Sequence, residues 1–255
     1  PPEARDTLPD KPLDDPYQRK MLQGIFAAWA WNGDGPFSRR HPFLRSIGAL
    51  WANTEHFVLA RELVRSGNIR DLDALDGHRF VLGARNSGAE KSGDYILNSL
   101  GIDYRRKFSL AYMGYGATAN AIQDGAIVGM NIPAGPPVSG ITRAFAAVGD
   151  DIVLLEFSDT DLAAVNAKYP LWQRRVLPAG TYPGLQQAVQ TVGPTALLVG
   201  SSKLSAQRVK RLLGAIFGNV KQLSQKSLQA LFISRERARS GISIPLHPGA
   251  KAFLK

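Results

Sequence analysis

Short apolar runs alternate along the chain with stretches whose apolar residues recur at helical spacing. Each run is short enough for a single strand, and polar or glycine-containing turns separate it from the helical stretch that follows. Strands that alternate with helices in this way are typical of an α/β fold. The strand-like runs are Phe57–Ala60, Phe80–Gly83, Ile127–Ile132, Ile152–Phe157 and Thr195–Gly200.

Two stretches towards the carboxyl terminus have clear helical character. In Ser205–Phe217 the apolar residues recur at i, i+3, i+4, i+7 and i+8 with cations on the other face, and Gly218-Asn219 predicts the end of the helix. A second helix is predicted over roughly Ser227–Arg239. The five prolines of Pro1–Pro16 prevent a regular helix there, and we expect an extended lead-in along the surface.

The composition is that of an ordinary globular protein. With 255 residues, 44% hydrophobic and 20% charged, the chain can bury a core in one large domain or in two smaller ones. No apolar run approaches the roughly 18 residues of a membrane-spanning helix. The formal net charge of +10 comes from short, dispersed groups of Lys and Arg, which favours a solvated basic surface over a nucleic-acid partner. Because Pro1–Lys20 is polar, any export signal is expected to lie outside this sequence.

The segment from Phe80 to Glu90 is the most informative stretch for function. A short apolar strand leads into a glycine-containing turn and then into a helix start, and the helix is expected to end at Gly101. Ser87 and Glu90 have the spacing of a capping box, in which each side chain satisfies a backbone N–H of the first turn. Such a helix start offers N–H donors and a positive dipole end, and Gly88 lets a ligand approach closely. The segment predicts either an anion site for a carboxylate or phosphate, or a helix cap with a purely structural role.

Catalytic motifs are absent from the sequence. The lack of cysteine excludes a disulfide framework, a cysteine-based zinc site and a thiol nucleophile. The four histidines are isolated and form no HExxH motif, so we expect no metal site. There is no GxSxG elbow and no GxxxxGKS/T loop, and Gly114-Tyr115-Gly116 lacks the third glycine of a dinucleotide fingerprint. These residues therefore give no support to an enzyme, and we expect no cofactor.

Six segments occur in an order that resembles a known receptor family. Together they resemble the TAXI family of TRAP-transporter solute receptors, over a range that runs from about Gln23 to the carboxyl terminus. The resemblance implies an α/β, two-lobed periplasmic binding protein of type II topology. The segments are Ala30–Phe37 (AWNGDGPF), Gly83–Glu90, Asp124-Gly125, Pro178–Gly184 (PAGTYPG), Thr191–Gly193 and Ile244–Ala250 (IPLHPGA).

The resemblance also implies a ligand site and a domain division. Lobe I is expected to comprise residues 1–78 with 191–255, and lobe II residues 79–190. Asn131 and Tyr182 could equally be a strand-end residue and a hinge packing residue without ligand contact. The expected ligand-binding residues are the helix start Asn86, Ser87, Gly88 and Ala89, together with Asn131 and Tyr182.

The function that the resemblance implies is capture of a small carboxylate-bearing solute in the periplasm, or by a membrane-associated receptor outside the cell, for delivery to membrane-embedded TRAP transporter subunits. The solute would be an amino acid such as glutamate or another organic acid. A diverged orphan or sensory binding protein of the same fold, with no transport role, is the alternative. An enzyme of the porphobilinogen-deaminase type shares type II lobes but anchors its cofactor on a cysteine, which this chain lacks.

The sequence departs from the family pattern in several places. Members usually begin with a strand, a glycine-rich turn carrying Tyr, a helix and then a Gly-Ser-x-x-Asn segment, none of which is found before Met21. Ile25 and Val128 stand where the family tends to have Asp. These departures predict either a fragment of a longer receptor or a relative whose ligand chemistry has diverged.

Overall fold

The computed structural model describes residues 20–255, with side chains for residues 24–227 and 229–255. The lead-in predicted for Pro1–Pro16 lies outside these residues. Each of the five strand-like runs overlaps an observed strand, and helices lie between the strands, so the predicted α/β fold class is confirmed. The strands of the described chain are β1 Lys20–Gln23, β2 Leu44–Ala52, β3 Phe57–Ala60, β4 Arg79–Val81, β5 Ser109–Ala111, β6 Gly129–Asn131, β7 Ile152–Leu154, β8 Gln173–Leu177, β9 Val189–Gly193 and β10 Thr195–Ser201.

Helices occupy most of the connections between these strands. Short 3-10 turns at Arg61–Leu63, Ile69–Ala74, Gly149–Asp151 and Leu228–Phe232 complete the regular structure of the described residues. The α-helices are α1 Gly24–Asn32, α2 Gly88–Ser99, α3 Tyr104–Lys107, α4 Tyr115–Gln123, α5 Ser139–Val148, α6 Asp159–Asn166, α7 Ala206–Gly218, α8 Val220–Lys226 and α9 Pro248–Phe253. Among these residues no helix is both long and apolar enough to cross a bilayer.

The described chain divides into two compact units. We call residues 54–193 the central unit, and residues 20–53 together with 194–255 the terminal unit. The sequence-based division placed the first boundary after residue 78, which lies inside the central unit. The boundary lies earlier because strand β3 pairs with both β6 and β7, and so belongs to the same sheet as the segments that follow it.

The central unit is built on a five-stranded mixed sheet in the order β5-β4-β6-β3-β7. Strand β4 runs parallel to β5 and to β6, whereas β3 is antiparallel to both of its neighbours. Phe57, Val58 and Leu59 of β3 are all buried, as expected for a strand with neighbours at both edges and cover on both faces. A separate antiparallel pair, β8-β9, completes this unit.

The terminal unit contains an antiparallel three-stranded sheet in the order β1-β10-β2. The predicted helix Ser205–Phe217 is confirmed as α7, with Ser205 as its N-cap: the Ser205 hydroxyl accepts a hydrogen bond from Arg208 N at 3.3 Å. Val209 and Leu213 are buried on its inner face, where they pack with Ile47 of β2. The local helix propensity of this segment and its single apolar stripe both favour the helix that is observed.

The helix predicted over Ser227–Arg239 is wrong. The chain forms the 3-10 turn Leu228–Phe232 and then irregular turns up to Gly241. The carbonyl of Ala238 accepts a hydrogen bond from Ala49 N of β2 at 2.8 Å, so this backbone group is satisfied by a neighbouring strand rather than by a helical partner. Tertiary contacts therefore override the local helix propensity of this segment.

Candidate functional site

The loop between β4 and α2 brings the backbone close to the start of a helix. Gly83 has φ +129°, and a Cβ added there would lie 2.7 Å from Ala89 Cβ and 3.0 Å from Ser87 Oγ. Only glycine fits this position without displacing its neighbours. Asn86 adopts φ +60°, a conformation that asparagine tolerates better than most residues. The loop therefore holds the first turn of α2 in a tight, defined arrangement.

The predicted capping box at this helix start is present in part. Ser87 is the N-cap, and its hydroxyl accepts a hydrogen bond from Glu90 N at 3.2 Å. The carboxylate of Glu90 accepts from Asn86 N, one residue before the expected Ser87 N, which instead donates to Ala84 O. The amides of the first turn, including those of Gly88 and Ala89, have no partner within the helix by its geometry.

Two further helices begin at the same edge of the central sheet. Helix α4 follows β5 after Gly114, which supplies no side-chain cap, and α5 follows β6 after Val138, which also supplies none. Met113 N donates to Gly83 O at 3.3 Å and so joins the loops that follow β5 and β4. Tyr115 Oη donates to Pro133 O at 3.2 Å and joins the start of α4 to the segment that follows β6.

This edge is the carboxyl end of three parallel neighbours, β5, β4 and β6, each followed by a helix. Ligands of open α/β sheets commonly bind at the carboxyl ends of the strands, where helix dipoles point their positive ends. Arg85 adds a full positive charge: its guanidinium lies 4.1 Å from the ring centroid of Tyr112 and is exposed. Arg85 forms no ion pair with any residue in the range 20–255. The edge is therefore suited to an anion.

A fully buried carboxyl group lies below helix α2. Glu55 accepts hydrogen bonds from Ser92 Oγ at 2.5 Å and from Asn131 Nδ2 at 2.8 Å. Burial raises the pKa of Glu55 to about 7, against the lowering effect of these hydrogen bonds. The other amide atom, Asn131 Oδ1, has no hydrogen-bond partner among the described residues. This carboxyl group is thus close to the midpoint of its titration at neutral pH.

The next residue in the chain, His56, belongs to a second buried network. Its Nδ1 lies 2.8 Å from Ile132 O, and its Nε2 lies 2.7 Å from the hydroxyl of Tyr182. Burial lowers the pKa of His56 to about 4, so the ring is neutral, donates from Nδ1 and accepts at Nε2. The Tyr182 hydroxyl also accepts from Val138 N at 3.2 Å. Burial raises the pKa of Tyr182 to about 12.

The predicted ligand-binding residues fall into three places within the central unit. Asn86, Ser87, Gly88 and Ala89 form the start of α2. Asn131 is fully buried beneath the same helix, where its Nδ2 lies 3.5 Å from the position that a Cβ on Gly93 would take. Tyr182 is buried and paired with His56. Sequence reasoning missed Glu55 and His56, because no local motif marks a residue that is buried by distant strands. It also missed Arg85, although that residue lies inside the segment from Phe80 to Glu90.

The described residues contain no group of three or more His, Asp or Glu side chains arranged to hold a metal ion. The chain forms two compact units, and helices start at the carboxyl edge of the parallel strands of the central unit, which fits the type II periplasmic-binding class that the sequence predicts. The chain belongs to the NMT1-like family, whose sequence profile matches residues 17–255.

Several solved structures are similar to the chain at low identity. Protein AF1704 from Archaeoglobus fulgidus aligns with a TM-score of 0.45 and 12% identity, over 93% of this chain and 75% of that protein. The periplasmic aliphatic sulphonate binding protein SsuA from Escherichia coli gives a TM-score of 0.45 and 12% identity, over 92% and 64%. A periplasmic binding protein of an ABC transporter from Brucella ovis, solved with glutathione bound, gives 0.39 and 11%, over 81% and 59%. The chain thus spans less than two thirds of the length of the last two proteins.

Proposed function

We propose that the chain is a periplasmic solute-binding receptor that captures a small carboxylate-bearing solute at the carboxyl edge of β5, β4 and β6. One observation carries the proposal: three helices begin at this edge, and an unpaired arginine, Arg85, lies in the loop before the first of them. The receptor performs no chemistry on its solute. Its binding energy comes from hydrogen bonds and from the exclusion of water.

The carboxylate of the solute is held at the start of α2. It accepts hydrogen bonds from the amides of Gly88 and Ala89, while Asn86 and Ser87 border it and Arg85 neutralises its charge. A hydrogen bond to a charged group contributes about 1.5–3 kcal/mol, so two amides and a guanidinium are enough for a specific anion site. Asn131 and Tyr182 act from below this surface: the first fixes α2 through Glu55, and the second fixes the start of α5 through Val138 N.

The resemblance to the TAXI receptors extends this proposal to the partner and the ligand. The solute would be an amino acid such as glutamate or another organic acid, passed to membrane-embedded TRAP transporter subunits. A sensory or orphan receptor of the same fold would bind a similar solute and support no uptake. Uptake of the identified solute into proteoliposomes that hold the transporter subunits separates the two roles, because a sensory receptor leaves uptake unchanged.

Calorimetric titration tests the binding proposal directly. The compounds are glutamate, small dicarboxylates, oxo-acids and, as competitors for the same anion geometry, alkyl sulphonates and glutathione. We expect at least one small carboxylate to bind and to raise the melting temperature, since a ligand of the folded state stabilises it. Failure of every carboxylate refutes the proposal, and binding of alkyl sulphonates alone replaces carboxylate by sulphonate as the ligand class.

A matched pair of proline variants locates the site. Gly88→Pro removes one amide donor at the first position of α2, where proline is compatible with a helix and Ser87 already has the extended backbone that precedes proline. We expect binding to weaken about tenfold or more. Ala206→Pro makes the same change at the first position of α7 in the terminal unit and is expected to leave binding unchanged. Equal affinity of the two variants would place the site away from α2.

A further inference from the structure

The charges of the protein are divided unequally between its two units. Residues 54–193 carry thirteen Lys and Arg against fourteen acidic residues, and are close to neutral. The described terminal unit, residues 20–53 with 194–255, carries fifteen Lys and Arg against two acidic residues. The cations are shared almost equally between the two units, whereas the acidic residues of the described chain lie almost entirely in the central unit. A formal charge of +13 on so few residues creates a strong positive potential.

Exposed apolar side chains occur within the same basic region. Helix α8 packs on the 3-10 turn that follows it, and Leu223, Leu231 and Phe232 are 38%, 62% and 46% exposed. Leu231 and Phe232 are exposed because their neighbours Ala230 and Ile233 are buried on the other side of the turn. Three large apolar side chains within so short a stretch of chain are uncommon on a surface that contacts only water.

Cations flank these apolar side chains and have no acidic partner. Lys221 and Lys226 are exposed at the two ends of α8, and neither forms an ion pair with a described residue. In residues 194–255 Glu236 is the only acidic residue against eleven Lys and Arg. We call Lys221, Leu223, Lys226, Leu231 and Phe232 the basic apolar surface.

We propose that the basic apolar surface docks on the headgroup region of a bilayer that contains anionic phospholipids. A bilayer interface accepts both components at once, since lysines bind the phosphates while leucine and phenylalanine enter the acyl boundary. A nucleic-acid backbone would neutralise the lysines and leave the apolar side chains in water. The lysines also lack a fixed geometry of paired contacts, which suits fluid headgroups better than a rigid acidic protein. The proposal does not depend on the identity of the solute.

Vesicle co-sedimentation of the full chain tests this inference. The probes are vesicles of phosphatidylcholine alone and of phosphatidylcholine mixed with phosphatidylglycerol, at low and at high salt. We expect sedimentation with the mixed vesicles, weaker sedimentation with phosphatidylcholine, and a decrease as salt screens the charges. No sedimentation with the mixed vesicles at low salt, or equal sedimentation with both kinds, overturns the proposal.

Two double variants separate the charged from the apolar contribution. Lys221→Gln with Lys226→Gln is expected to lower the partition coefficient about 25-fold, because each cation near an anionic surface contributes about fivefold. Leu231→Ser with Phe232→Ser is expected to lower it about tenfold or more through lost apolar insertion. All four positions are exposed, so the circular dichroism spectrum and the melting temperature should be those of the parent protein.

Matched controls change the same chemistry in the central unit. Arg65→Gln with Arg79→Gln removes two exposed cations there, and Val176→Ser removes an apolar side chain that is 55% exposed. Both controls should sediment like the parent protein. A loss in the controls equal to that in the test variants overturns the proposal.

Two further outcomes identify a different partner. If the protein binds double-stranded DNA, and the serine variants change neither DNA binding nor vesicle binding, then charge alone accounts for binding. This outcome overturns the proposal. Sedimentation only with vesicles that carry membrane proteins points to an acidic protein and also overturns it.

Discussion

Replacement of the buried Glu55 by glutamine is expected to stabilise the protein, and by more at high pH than at low pH. The pKa of Glu55 is about 7 in the folded protein against 4.5 for an unperturbed glutamate. The folded state therefore binds more protons between these values, so stability is complete below pH 4.5 and is lost as pH rises through 7. Ionisation of the buried carboxyl costs about 3 kcal/mol. Glutamine keeps the shape of the glutamate side chain without its charge. Asn131 Oδ1 has no partner among the described residues and can accept a hydrogen bond from the new glutamine amide after a side-chain rotation.

The neighbouring His56 contributes a pH dependence of stability that is opposite in sign to that of Glu55. Its pKa is lowered from 6.5 to about 4, so its contribution is complete above pH 6.5 and is lost as pH falls through 4. Between about pH 5 and pH 6.5 the contributions of His56 and Glu55 have opposite slopes and nearly cancel in the parent protein. Glu55→Gln removes one of them, so its stability should rise with pH across this window by about 1 kcal/mol per pH unit.

Urea unfolding followed by circular dichroism, at pH 5 and at pH 8, measures the difference between variant and parent. We expect Glu55→Gln to be more stable by about 3 kcal/mol at pH 8 and by about 1 kcal/mol at pH 5. Glu62→Gln, at an exposed carboxyl of the same unit, is the control and should show no such pH dependence. A difference that is the same at both pH values, or a loss of stability at pH 8, would refute the reasoning.

Three other changes have defined consequences, each measured by urea unfolding. Tyr182→Phe removes the hydroxyl that joins His56 Nε2 to Val138 N, and should cost about 1–3 kcal/mol because both buried groups lose their partner; an unchanged midpoint would mean that water replaces the hydroxyl. Asp71→Asn loses a carboxylate that accepts from three consecutive loop amides. Burial opposes ionisation of Asp71, but the hydrogen bonds from the Ser66 hydroxyl and from these amides outweigh it and lower the pKa. The loss should therefore be largest at neutral pH and shrink as pH falls below 3.8, and a constant loss would contradict this. Gly129→Ala places a Cβ 2.5 Å from a ring carbon of Phe80 in β4, so a cost of about 1–3 kcal/mol is expected; Gly218→Ala, in helical backbone with no atom within 4 Å, is the control and should show no such cost.

The elements whose stability is local are predictable from the sequence alone. Each apolar run became a strand, α7 formed where one stripe of apolar residues met a serine cap, and α2 began at Ser87 as its spacing predicts. The helix start proposed as an anion site belongs to this group, because a cap and a glycine turn are encoded within a few neighbouring residues. These features need no knowledge of what packs against them.

Other features depend on contacts between residues far apart in the chain, and the sequence alone does not predict them. The 3-10 turn Leu228–Phe232 replaced a predicted helix because its surroundings include a hydrogen bond from β2 to Ala238. Glu55 acquired its raised pKa from burial beneath α2, far away in sequence. The imbalance of charge is of the same kind: the two separate stretches of chain that form the described terminal unit together hold two acidic residues against fifteen Lys and Arg. Local sequence encodes hydrogen bonds and periodicity, whereas burial and summed charge are properties of the assembled fold.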